Sequence, residues 1–230
     1  MPFTRLQHIL PPVSGMRQTL LATVAAILPT TGLADDPFIE STQPSFNLYG
    51  APGLIDMPNA DMAPDAELST TFSHFAGTTR STLSFQILPR LHGSFRYSAL
   101  QGFLPSGYGL DTYYDRSFDL RYQLLDETKY RPAVSVGLQD FIGTGLYGGE
   151  YIVASKGIGD RLRVTAGLGW GRLGSHGSIG TTGNRPTELL GQGGVPTYDR
   201  WFRGDLAPFG GVEFKVTDRL SVKAEYSSDA

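Results

Sequence analysis

The sequence predicts an all-β protein, an antiparallel transmembrane β-barrel of the outer-membrane type that this chain leaves incomplete. Three observations carry the prediction: segments in which apolar and polar residues alternate, connections that are alternately short and long, and an N-terminal leader for export. Composition agrees with strands and turns: the 230 residues include 29 Gly, 11 Tyr and 13 Phe, and 40% are hydrophobic. A mean hydropathy of -0.15 excludes a bundle of membrane helices. A net charge of -3 offers no basic field to nucleic acid. The sequence holds no Cys, which excludes disulfides, thiolate metal sites and Cys nucleophiles.

The leader comes first. Arg17 precedes an apolar run from Leu20 to Leu28, and Gly32, Leu33 and Ala34 have the small-residue character of a cleavage site. Cleavage is expected between Ala34 and Asp35, with residues 1–15 an upstream extension of a signal peptide that spans 1–34. The run is too short to cross a bilayer, which takes about 20 apolar residues. Residues 35–65 are rich in Pro, Gly, Asn and Asp without any period, and are expected to form an extended periplasmic lead-in.

From residue 66 onward the pattern is that of strands. Nine are expected: Glu67–Phe75, Ser81–Leu88, Arg90–Ser98, Ser117–Leu124, Ala133–Phe141, Gly149–Lys156, Arg161–Trp170, Phe209–Val216 and Leu220–Ser227. The clearest is Arg161–Trp170, where Leu162, Val164, Ala166, Leu168 and Trp170 share one face and Arg161, Arg163, Thr165, Gly167 and Gly169 the other. Several of these segments are shorter than the roughly 9–11 residues that cross a membrane.

A soluble sandwich satisfies the same alternation, so the connections decide. The second, fourth, sixth and eighth are tight, at Pro89, Asp126–Arg131, Gly157–Asp160 and Thr217–Arg219. The third, Ala99–Arg116, and the seventh, Gly171–Pro208, are long. Short periplasmic turns opposite long external loops are a property of outer-membrane barrels. Tyr97, Phe141, Tyr151, Trp170, Phe209 and Tyr226 fall at the external end and Tyr122 and Tyr130 at the other, as an aromatic belt at each interface requires. An odd number of strands cannot close a single-chain bacterial barrel, so further strands are expected outside this sequence.

With apolar faces toward lipid, Arg96, Asp119, Arg121, Gln123, Arg163, Glu213, Lys215, Lys223 and Glu225 are expected to line the lumen. They either pair across strands to stiffen the wall or touch a glycan. Other motifs dissolve on inspection. Gly143, Gly145 and Gly148 match G-x-G-x-x-G, but a strand follows where a dinucleotide site needs a helix. Ser175, His176 and Asp199 lack a nucleophile elbow, and the four His have no metal-ligand spacing. No catalytic residue, cofactor or metal is expected, and the chain is read as non-enzymatic.

Blocks along the chain resemble the N-terminal third of YjbH-like outer-membrane proteins linked to exopolysaccharide and capsule production. They are Asn47–Ala60 (NLYGAPGLIDMPNA), Phe118–Arg121, Val136–Lys156 (VGLQDFIGTGLYGGEYIVASK), Leu168–Gly171, Phe209–Phe214 and Lys223–Asp229, in that order. Some members are lipoproteins; no Cys follows the leader here, so that anchor is not expected. The resemblance implies a place in the outer membrane and a part in polysaccharide export, assembly or surface display. The partners it implies are membrane lipid, exopolysaccharide and periplasmic export or assembly proteins. It brings no catalytic residues.

Overall fold

The computed structural model describes residues 44–103, 111–187 and 194–229. The leader, its Ala34–Asp35 junction and the start of the lead-in lie outside the described residues. Residues 42–230 form one compact unit.

The unit is a single antiparallel sheet. Its strands in chain order are β1 (Leu68–Phe75), β2 (Thr78–Leu88), β3 (Leu91–Gln101), β4 (Thr112–Leu125), β5 (Ala133–Gly143), β6 (Gly149–Ile158), β7 (Leu162–Gly171), β8 (Gly180–Thr181), β9 (Val195–Pro196), β10 (Asp205–Thr217) and β11 (Leu220–Tyr226). The long strands pair in the order β1-β2-β3-β4-β5-β6-β7-β10-β11, each with its sequence neighbours. The two short ones belong to the β7–β10 connection: β8 pairs with β10 and β9 with β5. All nine expected strands are present.

Most are longer than their alternation showed. β4 runs 14 residues and β10 runs 13, because Thr112–Tyr114 and Asp205–Pro208 continue the ladder without an apolar–polar rhythm. The β3–β4 connection shrinks accordingly to residues 102–111. Seven of the nine main strands reach at least 10 residues, which leaves only the edge strands β1 and β11, with 8 and 7, below the length that crosses a membrane.

Burial on this sheet is inverted. Along β2, Arg80, Thr82, Ser84 and Gln86 are buried while Leu83 and Ile87 are exposed. Along β3, His92, Ser94, Arg96 and Ser98 are buried, and along β4 Asp115, Ser117 and Arg121. The opposite face exposes Phe72, Phe118, Tyr122, Ile152, Leu168, Val212, Phe214 and Val222.

The described part of the lead-in is not extended. Ser45–Ala63 lies against the polar face and supplies Leu54, Met57 and Ala60 to an apolar cluster with Ala133, Tyr151, Val153, Leu173 and Phe209. Tyr151 and Phe209 therefore point inward and leave the external belt assigned to them. Glycines on neighbouring strands make the room: a Cβ at Gly137 would run into the Tyr151 ring, and one at Gly167 into Phe209. Trp170 keeps its outward face but is covered by the β7–β10 connection, with Phe202 edge-on at 5.2 Å. Tyr97 stacks with Tyr114 at 5.7 Å on the exposed face.

The sheet curls around this segment. Tyr49 accepts a hydrogen bond on its carbonyl from Thr82 in β2, at 3.0 Å, and its phenol donates to Asp229, just past β11, at 3.3 Å. In a flat sheet those strands would stand about 34 Å apart, seven spacings of about 4.8 Å. One residue cannot bridge that distance. Among the described residues β1 and β11 each have one neighbour and do not pair with each other, so the sheet is not closed.

Candidate functional site

The concave polar face and the segment it holds are the most densely bonded part of the molecule. The segment first folds on itself. Asn47 Oδ1 accepts the N–H groups of Tyr49 and Ala51, at 3.0 and 3.1 Å, and its Nδ2 donates to the Asp56 carbonyl at 3.1 Å. Local bridges join Phe46 to Pro52 and Gly53 to Pro58. Such a segment has few inter-strand bonds of its own, so its remaining backbone groups need partners from elsewhere.

Side chains of seven of the nine main strands provide them, while β7 and β10 bond to side chains of the segment instead. Ser73 of β1 donates to the Leu48 carbonyl at 2.6 Å, and Ser84 of β2 to that of Gly50. Arg96 of β3 reaches the Tyr49 carbonyl at 3.3 Å. Arg121 of β4 donates to the Pro52 and Asp61 carbonyls at 2.8 and 3.1 Å, with its Nε on the Tyr151 phenol at 2.7 Å. Ser135 of β5 donates to the Ala60 carbonyl, and the Ala60 N–H donates to Ser155 of β6, both at 3.0 Å. Arg163 of β7 pairs with the Asp61 carboxylate. Glu213 of β10 accepts from Ser45 at 2.7 Å.

β11 contributes the most. Lys223 donates to the Gly53 and Leu54 carbonyls at 2.9 and 2.8 Å. Two residues further, the Glu225 carboxylate accepts three successive N–H groups, from Ile55, Asp56 and Met57, at 2.8, 3.1 and 2.9 Å. Successive N–H groups aimed at one point form an anion-binding concavity, here filled by a side chain of the wall. The Asp56 carboxyl is held above the usual carboxylate range, first by burial and then by the negative charge of Glu225.

Of the nine residues expected to face inward, Arg96, Arg121, Gln123, Arg163, Glu213, Lys223 and Glu225 bond to the segment. Asp119 meets it indirectly, through the buried Arg96 at 2.9 Å. Lys215 borders a cleft beside the segment, where it is exposed and paired with Asp218 in the turn at 2.9 Å. Pairing across strands is present in Arg96–Asp119 and Lys223–Glu213, and the same face also holds the chain's own segment. The sequence reading missed Arg80 and Arg172, whose guanidinium carbons lie 4.5 and 4.1 Å from the Tyr49 ring centre. Arg80 shares a face with Thr82, Ser84 and Gln86, a pattern visible in the sequence; Arg172 follows β7 and carries no such sign.

Two clefts open at the ends of the strands, the first of them lined in part by the segment. One of about 570 Å³ opens at the tight-turn end beside Ser45, Asp61 and Met62, bordered by Gln123, Glu127, Arg161, Arg163 and Glu213. Glu127 there is held down to about 2: burial opposes its charge, but hydrogen bonds from Lys156, Arg163 and the Gly157 N–H outweigh that cost. The other, of about 560 Å³, lies among the long connections and is bordered by Gly145, Arg172, Ser175, Asn184, Arg185 and Arg200. Gly143–Gly148 leads into β6, as a hairpin connection rather than a dinucleotide loop. Among the described residues no group of His, Asp or Glu could hold a metal ion, and no helix is long and apolar enough to cross a membrane.

Comparison with known proteins gives one family and one curated relative. A family model described as exopolysaccharide biosynthesis protein YbjH, of the YjbH family, matches residues 45–230. The uncharacterized lipoprotein YjbH of Escherichia coli strain K12 is 30% identical over 226 residues, covering 93% of this chain. The chain spans 32% of the length of that relative. No solved structure matches it.

Proposed function

The chain belongs to the YjbH family of exopolysaccharide biosynthesis proteins, and from that premise we propose that it forms part of an outer-membrane β-barrel assisting export, assembly or surface display of an exopolysaccharide, without catalysing a reaction. The observation that carries the proposal is the inverted burial. A sheet in water that hid Arg96 and Arg121 while exposing Phe72, Phe118, Leu168 and Phe214 would lose stability on both faces. Around a polar interior, with lipid outside, both faces are satisfied. The unpaired edges β1 and β11 would be met by further strands of a longer protein, since a lipid-exposed edge leaves backbone groups without partners.

Fractionation of cells producing the full-length protein tests this reading. It should be recovered in the outer membrane and migrate faster on gels unheated than boiled, because a closed barrel resists detergent. Recovery as a soluble periplasmic protein would overturn it.

A second reading rests on the cleft among the long connections, where Arg172, Arg185 and Arg200 gather with small polar residues. Here the barrel serves as an anchor, and the external connections bind glycan or a surface partner. Shortening the β7–β10 connection separates the two readings: lost glycan binding with intact polymer export favours the anchor.

A further inference from the structure

We propose that Ser45–Asp61 is a displaceable occupant of a saccharide-binding lumen, and that the cleft beside Asp61 admits a hydroxyl-rich glycan chain that competes with it. The inference rests on the outer-membrane reading above and adds the place where the polymer would enter and the element it would displace.

The wall recognises the segment largely through its main chain. Arg121, Lys223, Ser135 and Ser84 donate to its carbonyls, and Glu225 and Ser155 accept its N–H groups. Donors and acceptors arranged in this way recognise no particular side chain. They would serve equally the hydroxyls of a sugar, each of which both donates and accepts. With Asp61 displaced, the adjoining cleft of about 570 Å³ sets Arg161, Arg163 and Lys215 against Glu127, Asp160 and Glu213. A lining of balanced charge selects for hydroxyl groups over a strongly charged ligand.

Arg163 stands at the boundary and makes the exchange tolerable. Its guanidinium pairs with Asp61 of the segment and, at 2.9 Å, with Glu127 of the β4–β5 turn. When Asp61 leaves, Glu127 remains as the partner of Arg163, so that charge is not orphaned. Leu54 and Met57, packed against Val153, Leu173 and Phe209, hold the resting state closed.

The test uses the full-length protein in planar lipid bilayers, with any cysteine outside this sequence replaced by serine. Asp61→Ala should raise ionic conductance several-fold, and maltohexaose should block the added current in proportion to its concentration. The pair Ala60→Cys with Ser135→Cys joins residues already in hydrogen-bonding contact; oxidised, it should conduct no more than wild type even with Asp61→Ala, and reductant should restore the higher current. Equal conductance in the oxidised and reduced states, or current insensitive to maltohexaose, would overturn the proposal. If the cysteine pair does not assemble, Asp61→Ala with maltohexaose decides alone. Failure to recover a heat-modifiable outer-membrane form would instead refute the barrel reading; recovery with unresponsive conductance would refute only the displacement.

Discussion

The two faces of the sheet invert the usual arrangement of a folded protein. On one, Arg96, Arg121, Thr82 and Ser135 are buried and bonded; on the other, Phe72, Leu168, Phe214 and Val222 are exposed. The polar face gains specificity from many directional bonds to one segment, since each buried donor must find an acceptor at the right distance. Among the described residues the apolar face has little covering beyond Trp201 and Phe202, and its solvent is what distinguishes the readings. The difference teaches that here hydrophobicity orients the strands while polar side chains assemble the interior.

The largest expected effect falls on the polar face. Arg121→Ala removes two charge-assisted hydrogen bonds to the segment and one to Tyr151 at a buried site. It should destabilise the docked segment by about 3–5 kcal/mol, given roughly 1.5–3 kcal/mol for each such bond and incomplete additivity. Increased protease cleavage within residues 44–64 measures it; unchanged resistance would break the account of this face. On the other face, Leu168→Arg should cost about 2–4 kcal/mol if the residue sits near the bilayer midplane. The unfolding midpoint in liposomes reads that cost, which would be close to zero were this face in water. Glu225→Gln comes next, at about 1–3 kcal/mol, because a neutral amide accepts the three N–H groups more weakly.

A smaller effect is pH-dependent. The folded-state value of Glu127, about 2, lies below its ordinary 4.5. Its contribution is therefore complete above the ordinary value and fades as pH falls toward 2. Unfolding followed between pH 5 and 2 should show that loss in wild type, and Glu127→Gln should flatten it. Smallest of all, Lys215→Ala should change stability by less than about 0.5 kcal/mol, as expected of an exposed ion pair in a turn.

How far the sequence carried this picture depends on what kind of contact is at issue. Strand existence and facing were legible because a period of two is local: Arg161–Trp170 displays both faces within one strand. Strand ends were not, since Thr112–Tyr114 and Asp205–Pro208 are held by ladder bonds to neighbours rather than by an apolar face. The inward direction of Arg121, Arg163, Lys223 and Glu225 was legible, but their partner was not. That partner is backbone in a Pro- and Gly-rich stretch whose composition reads as a loop, and its bonds span up to 170 residues of chain. Tyr151 and Phe209 misled for a related reason: the space that turns them inward is made by Gly137 and Gly167 on adjacent strands. The family resemblance gave the polysaccharide context that no residue pattern supplies, and the match over residues 45–230 bears it out.

The central claim, that one face of this sheet meets lipid and the other does not, is tested most directly along β7. This sequence has no cysteine, so single cysteines placed from Leu162 to Trp170 in a full-length protein otherwise free of them can carry an environment-sensitive fluorophore. The account predicts quenching by brominated acyl chains at positions 164, 166 and 168, and little at 163, 165 and 167. Equal quenching at all six, or strong quenching at 163, 165 and 167 instead, would contradict it.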